Sequence, residues 1–166
     1  MYSGIGYSQQ KNYINSRVTL LEVCDSILLS NLDRFVEFEK QCEYYSPELV
    51  FLIFIHPQED YYLIDIASDN GLGIMDDEDI IYGGFIYKGH YVEVSTNKYV
   101  NVSLKKKFFK RTNQTKEVKR YKPFDGFDKM GNLILESIED DSFSFWVYQY
   151  SNNEFFLKEM YTYCNQ

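Results

Sequence analysis

The two histidines are the side chains best suited to acid–base chemistry near neutral pH, because the ordinary pKa of imidazole lies close to that range. The chain contains His56 and His90 and no other histidine. His56 ends an apolar run directly before Pro57, and His90 follows Gly89 at a predicted turn between strands. A small hydrolase or nuclease that uses paired imidazoles would require these two strand ends to meet in the fold.

Other catalytic and cofactor-binding motifs are missing from the sequence. No GxSxG, HExxH or P-loop pattern occurs, and Gly71 with Gly73 lacks the third glycine of a dinucleotide fingerprint. The cysteines Cys24, Cys42 and Cys164 are far apart and show no CxxC spacing. We therefore expect reduced, structural thiols, and neither a metal site nor a cofactor.

An acidic segment runs from Glu59 to Asp79 without any lysine or arginine. Calcium prefers carboxylate ligands, but an EF-hand alignment on Gly71 puts Ile66 where the first aspartate must stand. The segment is typical either of a solvated acidic loop or of a patch that meets a cationic partner. We predict that a partner binds to this segment, to a second acidic cluster and to neighbouring tyrosines. The predicted partner-binding residues are Asp76, Asp77, Glu78, Asp79, Glu139, Asp140, Asp141, Tyr61, Tyr62 and Tyr82.

A basic segment from Lys105 to Lys122 holds nine of the 17 basic residues, although the net charge of the chain is −8. We predict strands at residues 99–110 and 116–121 that pair as a hairpin and gather this charge. Basic and aromatic residues together can bind nucleic acid or phosphate, or the like charges can protect an exposed sheet edge from aggregation. The candidate anion-binding residues are Lys105, Lys106, Lys107, Lys110, Arg111, Lys119 and Arg120.

The N-terminal quarter has the only helical spacing. Residues 1–15 show no period, which predicts a tail or an irregular segment. Between residue 16 and about residue 43, apolar side chains recur at steps of three and four, which predicts one helix or a helix pair broken near Ser30.

Beyond Pro47 the apolar residues alternate or form short runs, which predicts strands. Lys88-Gly89 and Asn152-Asn153 are typical of tight turns, and Gly83-Gly84 marks a bulge or a close backbone approach. The predicted strands span residues 49–56, 61–67, 80–87, 91–95, 99–110, 116–121, 133–138, 142–150 and 154–163. The sequence therefore predicts one α+β domain over residues 16–166, in which an N-terminal helix or broken helix pair packs on a mostly antiparallel, meander-like sheet.

The composition is that of a folded protein, because 45% of the residues are hydrophobic and 18% are aromatic. The 16 tyrosines reflect either the base composition of the coding sequence or a recognition surface. The first residues show no secretory signal, and the longest apolar run is far too short to span a membrane. We expect a cytoplasmic protein that does not associate with membranes.

In size, acidity and tyrosine content the chain resembles the bacterial toxin-neutralising immunity proteins, which commonly mask a basic toxin with a carboxylate-rich surface. This resemblance of size and composition implies a non-catalytic, protein-binding inhibitor whose partner is another protein, such as a basic toxin. One alternative is a nucleic-acid- or phosphate-binding protein that acts through the basic hairpin 105–122. The second alternative is a small hydrolase or nuclease that uses His56 and His90.

Overall fold

A computed structural model describes residues 13–73, 77–121, 144–162 and 164. The described residues form two helices and a mixed sheet of nine strands. The helices are α1 (Ser26–Glu39) and α2 (Val102–Phe108). The strands are β1 (Tyr13–Val23), β2 (Val50–Pro57), β3 (Tyr62–Asp69), β4 (Leu72–Gly73), β5 (Asp79–Tyr87), β6 (His90–Asn97), β7 (Phe109–Tyr121), β8 (Phe145–Ser151) and β9 (Glu154–Tyr161).

The sheet has the strand order β4-β7-β1-β5-β6-β2-β3-β8-β9. Five of its strand pairs are antiparallel, and three (β1–β5, β2–β6 and β4–β7) are parallel. The predicted α+β class is confirmed. The predicted meander is confirmed only in part. The hairpins β2–β3, β5–β6 and β8–β9 are present, but β6 pairs with β2 and β3 pairs with β8, and these strands are not consecutive in the chain.

Most of the strands predicted beyond Pro47 are present. β2, β3, β5, β6, β8 and β9 lie within a few residues of the predicted bounds, and residues 116–121 form the second half of β7. Both predicted tight turns have positive φ, at Lys88 with Gly89 and at Asn152 with Asn153. The predicted strand 133–138 lies outside the described residues.

The predicted N-terminal helix is wrong in its first part. β1 begins at Tyr13, inside the segment predicted to be irregular, and pairs antiparallel with β7. The register of this pair shifts between Thr19 and Leu21. Val18 and Leu21, three residues apart, are both buried but belong to separate clusters of the core. An irregular strand with apolar residues on both faces can therefore show the same three-residue spacing of apolar side chains as a helix.

Helix α1 begins after Asp25, whose carboxylate accepts hydrogen bonds from the backbone N–H groups of Ile27 and Leu28 at 3.0 and 2.8 Å. The helix continues through Ser30, so the predicted break there is wrong. Its apolar side chains buried against the sheet are Leu28, Leu32, Phe35 and Val36. Full burial of one such side chain stabilises the fold by roughly 1.5–3 kcal/mol.

The predicted basic hairpin is also wrong, because residues 102–108 form α2 and β7 follows as one strand between β1 and β4. The side chain of Asn101 caps α2 by accepting a hydrogen bond of 2.7 Å from the N–H of Ser103. Val100, Leu104 and Phe108, spaced by four, all pack in or against the main core. A strand would place Val102 and Lys106 on the same face as these residues, whereas a helix turns both away, and both are exposed.

The two faces of the sheet are covered differently. α1 and α2 pack on the helix face, where Phe51, Ile53 and Ile55 of β2 are fully buried. On the opposite, outer face, Arg120 of β7 reaches Glu93 of β6, although β1 and β5 lie between these strands. The sheet is therefore curled, and a smaller core forms inside the curl.

A disulfide bond joins Cys42, which follows α1, to Cys164, which follows β9. The two Cα atoms are 5.0 Å apart, although 122 residues separate them in sequence. The prediction of reduced thiols is therefore wrong for this pair, while Cys24 is a free, exposed cysteine. Sequence spacing could not reveal the bond, because only the complete sheet brings the residues after α1 close to those after β9.

Candidate functional site

The sheet brings two acidic loops that are separate in sequence to the same end of the molecule. β2 and β6 are parallel neighbours. Asp79, at the start of β5, lies opposite Asn97 at the end of β6, and Tyr62, at the start of β3, lies opposite Pro57 at the end of β2. The β2–β3 turn and the loop before β5 therefore emerge together, about 15 Å apart when three strand spacings of about 4.8 Å are counted.

We name the carboxylates at this end of the sheet the acidic end, and its members are Glu59, Asp60, Asp77, Glu78 and Asp79. All of them are exposed except Asp79, which is half-buried. None of their side chains forms an ion pair or a hydrogen bond with any residue that the structure describes. Unpaired like charges close together produce a negative potential that attracts cationic groups.

An open pocket of about 420 Å³ lies beside these carboxylates, between the β2–β3 turn and the β8–β9 turn. Glu59, Asp60, Tyr61 and Tyr62 line one side of the pocket, and Tyr150 lies on the other. The two predicted tyrosines Tyr61 and Tyr62 therefore adjoin the acidic end. Both side chains are half-buried, so each ring packs partly against the fold and leaves part of its surface exposed to solvent.

Two of the pocket tyrosines already contact cations of the chain itself. The ammonium group of Lys158 lies 5.2 Å from the ring centre of Tyr61. The ammonium group of Lys107 lies 5.4 Å from the ring centre of Tyr150 and donates a hydrogen bond of 2.7 Å to its hydroxyl oxygen. In the structure these two rings therefore already carry basic side chains of the chain itself in cation–π contact.

Tyr82, another predicted partner-binding residue, does not join this surface. Tyr82 is 9% exposed and lies in the core on the helix face. Its ring is covered by Lys105 and Arg111, whose charged groups lie 5.5 and 5.2 Å from the ring centre. Its position therefore does not fit the surface anchor that we predicted. The remaining predicted residues Asp76, Glu139, Asp140 and Asp141 lie outside the described part of the chain.

The predicted anion-binding residues are dispersed by the fold. Arg120 is buried and forms a two-point ion pair with Glu93, in which Nη1 lies 2.9 Å from Oε2 and Nη2 also contacts Oε1. Lys105 is buried, and Lys107 is bound at the pocket. The exposed members are Lys106, Lys107, Lys110, Arg111 and Lys119, which are divided between α2 and β7.

The ion pair of Arg120 is part of the small core inside the curled sheet. Arg120 Nε also donates a hydrogen bond of 2.8 Å to Ser16 Oγ. The Tyr91 hydroxyl lies 3.3 Å from Glu93, and burial together with that carboxylate raises the pKa of Tyr91. A charge pair that is buried and satisfied in this way fixes how β7 lies on β6, and it is not exposed to a ligand.

The two histidines do not form a common site. His56 lies on the outer face near the end of β2, where its Nε2 is 3.3 Å from Oδ2 of Asp65. His90 is buried at the start of β6 on the helix face, where it contacts Phe51 and where its Nε2 is 2.6 Å from the Tyr45 hydroxyl. Because the imidazoles lie on opposite faces and at opposite ends of two parallel strands, the hypothesis of a paired-imidazole site is wrong.

Sequence reasoning missed a buried carboxyl group at Glu39, the last residue of α1. Its side chain is fully buried; Oε2 accepts a hydrogen bond from the Tyr44 hydroxyl, and Oε1 has no partner among the described residues. Burial raises the pKa of Glu39, and burial also raises the pKa of Tyr44 to about 12. The signal was present, because Glu39 follows the core residue Phe35 by four and so lies on the buried side of the helix.

Comparisons add no assignment to this geometry. No family model, no curated protein and no solved structure matches the chain. Across residues 13–73, 77–121, 144–162 and 164, no group of three or more His, Cys, Asp or Glu side chains is placed to hold a metal ion. Over the same ranges, none of the helices has the length and apolar character needed to cross a membrane.

Proposed function

We propose that this chain is a non-catalytic protein-binding domain that uses the acidic end, with Tyr61 and Tyr62, to bind a basic protein. The observation that supports this proposal is the convergence of carboxylates from two loops, without ion-pair or hydrogen-bond partners among the described residues, beside half-buried tyrosine rings. Unpaired carboxylates attract a cationic partner over a distance and form a charged rim. Rigid aromatic rings supply apolar contact at the centre of such an interface.

The partner class that fits this chemistry is a basic toxin, which the domain would neutralise as an immunity-type inhibitor. The support is the resemblance to immunity proteins in size, acidity and tyrosine content, together with the exposure of the acidic end. The basic residues are dispersed between α2 and β7, so no specific observation favours the nucleic-acid alternative. The separate positions of His56 and His90 give the enzyme alternative no support from a paired-imidazole site.

Charge reversal at the acidic end tests the proposal. We expect the double variant Asp77→Lys/Glu78→Lys to associate with the partner at least tenfold more slowly at low salt, because it replaces attraction by repulsion. The difference should shrink as salt is added, since screening weakens both effects. The partner is first captured from the source cells and purified, and association rates are then measured by surface plasmon resonance.

The matched control is Glu43→Lys/Glu48→Lys, which makes the same change of charge at exposed residues before β2, at the opposite end of the sheet. This control should bind at nearly the wild-type rate. Equal rates for both double variants would contradict the proposal. Salt-sensitive binding of a single-stranded oligonucleotide by the wild-type protein would favour the nucleic-acid alternative.

The cytoplasmic location remains a prediction. The bond between Cys42 and Cys164 weighs against it, because structural disulfides persist mainly in oxidising compartments. Fractionation of the source cells, with alkylation of free thiols before lysis, tests the location. A cytoplasmic protein is expected in the soluble fraction with both thiols alkylated, and an oxidised protein in another fraction would contradict the prediction.

A further inference from the structure

Strand β9 lies at one edge of the sheet and, in the part of the chain that the structure describes, pairs with β8 alone. Its large apolar side chains are exposed on both faces. Phe156 is 52%, Leu157 48% and Met160 50% exposed. An edge strand with apolar side chains and unpaired backbone groups is a template for pairing with another strand.

The β8–β9 turn determines which backbone groups of β9 are unpaired. Asn152 and Asn153 have φ values of 50° and 62°, which is typical of a two-residue turn whose flanking residues form a hydrogen-bonded pair. Those flanking residues are Ser151 and Glu154. Because bonded and non-bonded pairs alternate along an antiparallel ladder, the N–H and C=O groups of Phe155 and Leu157 point away from β8.

We propose that the occupant of this edge is β9 of a second copy of the chain, in an antiparallel pair centred on Phe156. A two-fold axis perpendicular to the sheet pairs a central residue with itself and pairs its neighbours reciprocally. Centring on Phe156 places Phe155 opposite Leu157 of the second copy, so that these residues exchange the hydrogen bonds that β8 leaves unused. The Phe156 rings then meet across the axis.

Charge complementarity selects this register over its neighbours. With Phe156 at the centre, Glu154 of each copy lies opposite Lys158 of the other, and opposite charges across an antiparallel pair are favourable. The exposed Lys158 ammonium, which lies over the Tyr61 ring in the single chain, turns to this carboxylate in the pair. A pair centred on Leu157 would put Phe156 opposite Lys158, and a pair centred on Phe155 would put Glu154 opposite Phe156. A pair centred on Lys158 would put two ammonium groups opposite each other.

The same strand limits how far the pairing can extend. The β8–β9 register shifts between Val147 and Tyr148, which makes Lys158 the extra residue of a bulge. A bulge bends an edge strand and ends regular pairing. The contact between copies therefore covers residues 154–158, and because each copy uses the same edge, it closes as a dimer and does not continue as a fibre.

Sedimentation velocity over a series of protein concentrations tests the proposal. The wild-type protein is expected to convert from monomer to dimer as its concentration rises. Glu154→Lys and Lys158→Glu should each remain monomeric, because each variant places like charges opposite each other. An equimolar mixture of these two variants should dimerise, since the mixed pair restores opposite charges at both positions.

Two further variants control for general effects of charge. Lys110→Glu, at an exposed position of β7, should dimerise as the wild type does. The exchange variant Glu154→Lys/Lys158→Glu, which keeps the composition, should also dimerise. Its dimerisation would show that the single variants do not lose the dimer through misfolding. A wild-type protein that stays monomeric at all concentrations, or a mixture of single variants that stays monomeric, would overturn the proposal.

Discussion

At the scale of single residues, the fold buries the carboxyl groups of Glu93 and Glu39 with different partners. The Glu93–Arg120 pair is buried, yet each partner has an opposite charge. Glu39 is equally buried and is met by the neutral hydroxyl of Tyr44. A carboxyl group without a countercharge stays protonated to higher pH when water is excluded.

We expect Glu39→Gln to stabilise the protein at neutral pH. Because burial raises the pKa of Glu39 in the folded state above its ordinary value of 4.5, the wild-type free energy of unfolding falls as pH rises from that value through the folded pKa. Glutamine cannot ionise and keeps an acceptor for Tyr44. The gain should be on the order of 1 kcal/mol at neutral pH and should vanish in acid, as measured by urea denaturation.

The same substitution at Glu37 provides the control, since this exposed residue of α1 forms ion pairs with Lys40 and Lys88. Hydrogen bonds from Lys88 and Lys40 lower the pKa of Glu37. Glu37→Gln should therefore not increase stability at neutral pH. A Glu39→Gln protein that is no more stable than wild type at neutral pH would show that the buried carboxyl group causes no penalty.

At the scale of elements, hairpins with short turns could be predicted from sequence, whereas elements held by distant partners could not. Lys88-Gly89 and Asn152-Asn153 specify their turns locally through positive φ. β1 depends on β7, whose paired residues are about 100 positions away. The capping of α2 by Asn101 was a local signal that we misread, because apolar and basic residues also fit a strand.

The predicted irregularity at Gly83-Gly84 has a direct physical basis in the contact of β5 with β1. The register of β5 with β6 shifts between Ile81 and Gly83. A Cβ atom at Gly83 would lie 2.5 Å from the Thr19 carbonyl oxygen of β1 and 2.7 Å from Leu21 Cγ. The absence of a side chain therefore allows β1 to approach β5.

We expect Gly83→Ala to lower the free energy of unfolding by about 1–3 kcal/mol, because the backbone of β1 must shift to admit the methyl group. Gly73→Ala is the matched control, since a Cβ atom there meets no atom of the described residues within 4 Å. Guanidinium denaturation of both variants measures the difference. Equal stability of the two variants would mean that β1 yields to the added methyl group without cost.

At the scale of the whole molecule, only some members of the candidate site were among the predicted partner-binding residues, and Glu59, Asp60 and Tyr150 were not. The sequence identified Asp77, Asp79, Tyr61 and Tyr62 through charge and residue type. Only the parallel pairing of β2 with β6 brings their loops to one end of the sheet. Sequence spacing likewise could not show that Arg120 lies inside the fold, because its partner Glu93 belongs to a strand that is not its neighbour.

The bond between Cys42 and Cys164 closes a covalent ring that contains every strand from β2 to β9. β1 and α1 precede this ring in the chain, although β1 is an inner strand of the sheet. A protease that cuts once inside this ring opens a loop and adds one water but releases no fragment, so the two pieces stay joined until the disulfide is reduced. Both loops of the acidic end lie within the ring. A molecule cleaved in either loop therefore still holds the two halves of the proposed binding surface together.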